Sequence, residues 1–264
     1  MPKFFVTSDV HSYYTALKKA LDEAGFDSNN KDHWLVVCGD VFDRGNESKE
    51  VLHLLMSLER KILVKGNHDI LLEELCMREF PYSHDHSNGT VKTVQDISGM
   101  SCDKTFNECC CDTWKRTARY RELLVNYFET QNYIFVHSWI PTRKVSVPHP
   151  ADKWVPLTKN EWMEDWRNAN DVEWENAMWG NPFSMAEQGL NKTGKTIVFG
   201  HWHCSAGHKM LGACADEFNN AIWEPCYFKN TIGVDRCTAH TGEVNVLVLE
   251  DEFLEGEYGD NSIN

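Results

Sequence analysis

Residues 36–45 read VVCGDVFDRG: a short apolar run, Val36 to Cys38, stopped by Gly39 and followed at once by Asp40, Asp43 and Arg44. An apolar run of this length, rich in β-branched residues and bounded by glycine, predicts a buried strand. Polar side chains just past its end then stand at the carboxyl edge of a sheet, where α/β folds bind their ligands. The same construction recurs along the chain. KFFVTSDVH delivers Asp9 and His11, KILVKGNHD delivers Asn67 and His68, NYIFVHS delivers His137, and KTIVFGHWH delivers His201 and His203. NTIGVD and EVNVLVLE are two further strand candidates. Between the early strands, Tyr14, Leu17, Leu21 and Ala24 recur at helical spacing before Gly25, as do Val51, Leu54, Leu55 and Leu58. The pattern is α/β at the N-terminal end, with more consecutive strands toward the C-terminus. Five strand ends carrying Asp, His and Asn, and no Lys, predict one shared cleft. In a strand, residues i and i+2 point to one face, so His201 and His203 would reach the same point with Trp202 turned away; an exposed pair beside a turn is the alternative.

Bulk properties narrow the function. The 264 residues are 42% hydrophobic and 25% charged, an ordinary globular composition. No internal repeat or flexible linker divides them, so a single domain over 1–264 is expected. No run of about 18 apolar residues occurs, and the start MPKFFVTSDVHS turns polar too early for a signal peptide. The expectation is a cytoplasmic protein with no membrane partner. Lys and Arg number 26 against 40 Asp and Glu, a net charge of -14, which argues against binding a nucleic-acid backbone. A small phosphorylated substrate remains compatible if cations sit in the site. The ten cysteines lack the spacing of a disulfide framework. Cys109, Cys110 and Cys111 read as free thiols rather than a zinc site. Two stretches interrupt the α/β pattern: 81–111, polar and cysteine-rich, and 141–182, which carries Trp154, Trp162, Trp166, Trp174 and Trp179. Each reads as a lid or substrate wall, with an aromatic packing core as the alternative for the tryptophans.

Taken in order, DxH, GDxxDRG, GNHD, H and GHxH resemble the calcineurin-like metallophosphoesterases. The DRG extension is similar to their phosphoprotein phosphatase branch, including its bacterial and phage members. The likeness runs from Phe4 to about Leu249. It implies a β-sandwich of two mixed sheets flanked by helices, and two divalent ions about 3.5–4 Å apart. By resemblance Asp40 bridges the ions, Asp9 and His11 complete the first, and Asn67, His137 and His201 complete the second, with His203 adding to the first. Carboxylate, amide and imidazole ligands without thiolate suit Mn²⁺, Fe or Zn²⁺ more than Ca²⁺, and Mn²⁺ is taken as the first candidate. His68 follows the ligand Asn67 directly and is cast as the general acid, oriented by Asp43; for Asp43 the competing role is a helix N-cap. Arg44 offers a planar donor fork to phosphate oxygens.

The implied activity is hydrolysis of phosphate monoesters, foremost as a serine/threonine protein phosphatase acting on a phosphorylated protein or a small phosphate ester. A hydrolase of dinucleoside polyphosphates or cyclic nucleotides is the alternative, and an inactive binding scaffold the alternative of another class. Two departures bear on substrate. Asp69 stands where the branch usually has glutamate, and Asn181 in MWGNPF stands where many members carry a second phosphate-binding arginine. Arg167, Lys192 and Lys195 are the remaining candidates for that second cation.

Overall fold

Alternation along each strand sorts its side chains into two different cores. The computed structural model describes residues 1–101, 103–147, 158–214 and 216–254. Its strands are β1 (Lys3–Thr7), β2 (His33–Cys38), β3 (Lys61–Val64), β4 (Leu124–Val125), β5 (Phe128–Glu129), β6 (Tyr133–Phe135), β7 (Thr142–Ser146), β8 (Thr158–Trp162), β9 (Thr196–Phe199), β10 (Cys226–Phe228), β11 (Thr231–Gly233) and β12 (Leu247–Glu250). One sheet has the order β12-β1-β2-β3-β4 and the second β10-β11-β9-β6-β5, with β7 and β8 forming a separate pair. Strands β1 to β4 run parallel and β12 antiparallel. In the second sheet β6, β9 and β11 run parallel, with antiparallel β5 and β10 at the edges.

Phe4 and Val6, Val36 and Cys38, and Ile62 and Val64 meet Phe128, Phe135, Val198 and Ile232 in one cluster between the sheets. The intervening residues Phe5, Leu35, Val37 and Leu63 join Leu17 and Leu21 of helix Tyr14–Glu23 and Val51 and Leu55 of helix Ser48–Ser57. On the far side Ile134, Val136, Ile197 and Phe199 pack with Trp166, Trp174 and Phe183. Each fully buried Leu, Ile, Val or Phe contributes about 1.5–3 kcal/mol, so a one-residue slip of any central strand would exchange two cores at once. The result is an α/β fold of mixed sheets flanked by helices.

The stretch 81–111 holds the helices Ser83–Asn88 and Thr90–Ser98 and the start of Phe106–Arg116. Val91, Val94, Ile97, Cys109 and Cys110 are buried in the first helix-covered core, and Asn88 lines the cavity discussed below. In the tryptophan-rich stretch, Trp166 and Trp174 are core residues and Trp162 is packed against them; Trp154 lies outside the described residues. The described cysteines are all free thiols. EVNVLVLE becomes a strand only from Leu247 on. Among the described residues, no helix is long and apolar enough to cross a membrane.

Candidate active site

Because β1, β2 and β3 are parallel, the loops bearing Asp9 and His11, Asp40 and Asp43, and Asn67 and His68 leave from one edge of the first sheet. Parallel β6, β9 and β11 do the same for His137, His201 and Asp235 in the second. The two edges meet, and one cavity is lined from both sheets by Asp9, His11, Asp40, Asn67, His68, His201 and Asp235. The turns are tight. Asp9, His11, Ser12, Asp40, Asp43, Arg44, His201 and Cys237 all have φ between +48° and +75°, a left-handed conformation costing a non-glycine residue on the order of 1–3 kcal/mol. Glycines let the ligand-bearing turns touch. A Cβ on Gly39 would stand 2.3 Å from His137 Nδ1, and one on Gly66 2.2 Å from Asp40 Oδ1.

Asp40 sits at the centre. Candidate ligand atoms of His11, Asp40 and His68 lie within 4.8 Å of one another, as do those of Asp40, His137 and His201. Asp40 is shared by both groups, as a bridging ligand must be. His137 Nδ1 is 2.9 Å from the Cys38 carbonyl, which can only accept, so Nδ1 carries the proton and Nε2 presents a lone pair. That Nε2 is 3.4 Å from Asp40 Oδ1, 2.7 Å from Asn67 Oδ1 and 3.2 Å from His201 Nδ1. His11 is oriented in the same way, with Nδ1 2.9 Å from the Phe42 carbonyl. Its Nε2 lies 3.8 Å from Asp9 Oδ1 and 4.0 Å from Asp40 Oδ2. Lone pairs of two imidazoles, an amide oxygen and carboxylates thus converge, an arrangement completed by cations. Asp9 also joins the sheets, accepting a 2.8 Å hydrogen bond from the His201 amide at Oδ2.

The electrostatics agree with that fit. Burial pushes His11 and His201 down to about 3, leaving both rings neutral at pH 7 and free to donate lone pairs. Asp9 is pushed up to about 6, first by burial and then by the Asp40 carboxylate. Burial also works against Asp40, but His137, His68 and His11 outweigh it and hold its carboxyl well below the usual carboxylate range. Asp235 is raised far above that range by burial and by Asp9. Carboxylates crowded against one another in this way would be relieved by divalent ions.

His68 is built differently. Its Nδ1 is 2.7 Å from Asp43 Oδ2. Thr90 Oγ1 donates to the same oxygen at 2.7 Å, and Thr93 Oγ1 donates to Asp43 Oδ1 at 2.9 Å. Burial disfavours the charged ring, but Asp40 and the bond to Asp43 outweigh it, and His68 is pushed up to about 9. A protonated Nε2 therefore faces the cavity, 3.8 Å from Asp40 Oδ2, as a proton donor requires. Asp43 does not stand at a helix N-cap, because the helix that follows begins at Ser48 with Glu47 in the N-cap position. Thr90 and Thr93 were not legible as site residues. Asp235 was missed too, although it follows the apolar run of NTIGVD as Asp40 follows VVCG.

His201 and His203 do not share a strand face. Strand β9 ends at Phe199, and His201 takes a left-handed turn with φ +65° that breaks the two-residue alternation. His201 turns to His137, with ring centroids 4.9 Å apart. His203 lines the cavity, but its Nδ1 is 3.3 Å from Glu217 Oε1 and its ring contacts Phe218 and Trp223. Like Asp9, it belongs to neither of the two three-residue groups. Trp202 is partly buried against the aromatic core. Asp69 accepts from the Gly66 amide and from Tyr120 Oη, each at 2.8 Å, at the start of helix Asn67–Arg78.

Arg44 is exposed at the cavity wall. The candidates for a second phosphate-binding cation are placed elsewhere. Arg167 makes two hydrogen bonds to Glu129, at 2.8 and 2.6 Å, and Lys195 Nζ is 2.8 Å from the same carboxylate. Lys192 and Lys195 precede β9, at the opposite end from His201. Asn181 caps helix Pro182–Glu187 by accepting from the Ser184 amide.

A cavity that gathers lone pairs around one shared carboxylate, with a proton donor alongside, is the signature of the di-metal hydrolases. The chain belongs to the calcineurin-like phosphoesterase family, whose sequence pattern matches residues 2–205. Among curated relatives, a symmetrical bis(5'-nucleosyl)-tetraphosphatase of Coxiella burnetii is 40% identical over 152 residues, 56% of this chain and 46% of that protein. One of Proteus mirabilis is 41% identical over 69 residues, 26% of this chain and 24% of that protein. The chain thus spans less than half the length of these relatives. The solved structure of a mutant cold-active protein tyrosine phosphatase superposes with a TM-score of 0.50 at 16% identity, covering 95% of this chain and 76% of that one, a likeness of fold.

Proposed function

We propose that this protein hydrolyses dinucleoside polyphosphates, with divalent ions, Mn²⁺ first among them, held by Asp9, His11, Asp40, Asn67, His137 and His201. The observation that carries the reading is the match to curated relatives named as symmetrical bis(5'-nucleosyl)-tetraphosphatases. The cation inventory agrees with it. A phosphopeptide anchored by two arginines needs a second one, and among the described cavity-lining residues Arg44 is the one arginine, with no lysine beside it. When bound, the ions supply Lewis acidity and a water nucleophile active near neutral pH. The protein's residues do the rest. Arg44 binds non-bridging phosphate oxygens, His68 passes its Nε2 proton to the departing oxygen, and Asp43 holds that ring in place.

The test is a substrate panel on protein first stripped by a chelator and then restored with Mn²⁺. We expect kcat/KM for diadenosine tetraphosphate to exceed that for phosphoserine and phosphothreonine peptides by about tenfold, roughly 1.4 kcal/mol of transition-state preference. The reverse ranking would return the assignment to the serine/threonine phosphatases suggested by the DRG motif. Undiminished turnover in the stripped sample would sink the metal-dependent mechanism altogether.

A further inference from the structure

Trp179 differs from the other described tryptophans of its stretch. Trp166 and Trp174 are buried and Trp162 is packed against them, whereas Trp179 is 50% exposed and lines the cavity wall. Its ring lies 6.3 Å from that of His201, at 90°. The position is braced. The Gly180 amide donates to the Ala177 carbonyl at 3.2 Å, and Ser138 Oγ donates to the Gly180 carbonyl at 2.9 Å. Ser138 directly follows His137, so the backbone next to Trp179 is tied to the strand end that carries His137.

We propose that Trp179 is the platform on which a nucleobase of the bound dinucleotide stacks, a role that rests on the nucleotide-hydrolase reading above. A large half-exposed aromatic face beside a charged centre wants a flat apolar partner, and a nucleobase joined to a polyphosphate is that partner. Stacking tolerates any base, because every base has a π-face. The phosphates would then be positioned by the ions and Arg44, and the nucleoside by the indole.

The test compares Trp179→Ala, Trp179→Leu and Trp179→Phe in the full chain with Mn²⁺. Calorimetry gives Kd for adenosine diphosphate and for inorganic pyrophosphate, which has the same linkage and no base. Turnover gives KM for diadenosine tetraphosphate. We expect the Ala and Leu variants to weaken adenosine diphosphate by about tenfold or more relative to any change in pyrophosphate, and to raise KM for the dinucleotide in step. Trp179→Phe should recover most of the loss. Should the Ala variant fail to fold, Leu, which keeps apolar bulk without a π-face, decides the matter. Equal weakening of both ligands, or unchanged binding of adenosine diphosphate, overturns the platform while leaving the hydrolase reading intact. No turnover of diadenosine tetraphosphate by the unaltered protein overturns both.

Discussion

His68 holds its proton because two carboxylates face a ring that burial alone would neutralise. His68→Asn should therefore keep the metals and slow hydrolysis by on the order of 10²–10⁴, with a larger deficit for alkyl than for nitrophenyl esters, whose leaving group needs less protonation. Metal analysis and paired rates check it, and equal losses on both esters would assign the ring another part. The same variant has a signature without metal. A histidine raised from 6.5 to about 9 stabilises the fold fully below pH 6.5, and that contribution is lost as pH rises through 9. In chelated protein, urea unfolding should show the advantage of His68 over Asn shrinking by about 3 kcal/mol between pH 6 and pH 10. The convergence of Asp9, His11, Asp40, Asn67, His137 and His201 on one place was readable because each follows an apolar run closely, so one-dimensional order reports three-dimensional position. His203 shows where that logic stops. The i, i+2 rule holds inside a strand, and the strand had already ended at Phe199.

Helix Thr90–Ser98 supplies the hydroxyls that fix Asp43, so an element from a stretch that reads as an interruption supports the His68 ring proposed as the acid. Thr90→Val preserves shape and removes a buried hydrogen bond to a charged oxygen. We expect a loss of about 1.5–3 kcal/mol in denaturant unfolding and a fall in kcat of roughly tenfold, the scale typical of residues that orient an active group. Lost stability with unaltered kcat would make the threonine a packing residue only. Its helix was hidden because polar residues dominate the composition, although Val91, Val94 and Ile97 carry the helical spacing. Strand legibility divides along similar lines. The seven apolar runs read as strands all contain one, while β4 and β5 have two residues each and β7 and β8 read TRKVS and TKNEW. Such segments are paired by tertiary context rather than by their own pattern.

At the scale of the molecule, Asp9, Asp40 and Asn67 come from one sheet, and His137, His201 and Asp235 from the other. Ions held there bind the folded chain and not the unfolded one. Divalent metal at about 100 times its Kd should add about 2.7 kcal/mol of stability, and raise Tm by several degrees at about 2–4 °C per kcal/mol for a chain of this size. Calorimetric scans with Mn²⁺ and with chelator measure the shift, and coincident scans would contradict a cross-sheet site. On the proposed function, that seam location would make the ions fasteners as well as reagents. With them removed, the ends of β6 and β9 are left with their hydrogen bonds to Cys38 and Asp9 across the seam, and amide exchange there should quicken before it does in the strand centres. The free divalent ion concentration around the protein then sets two quantities together: how fast it turns over substrate, and how long the chain escapes proteases that cut only opened segments.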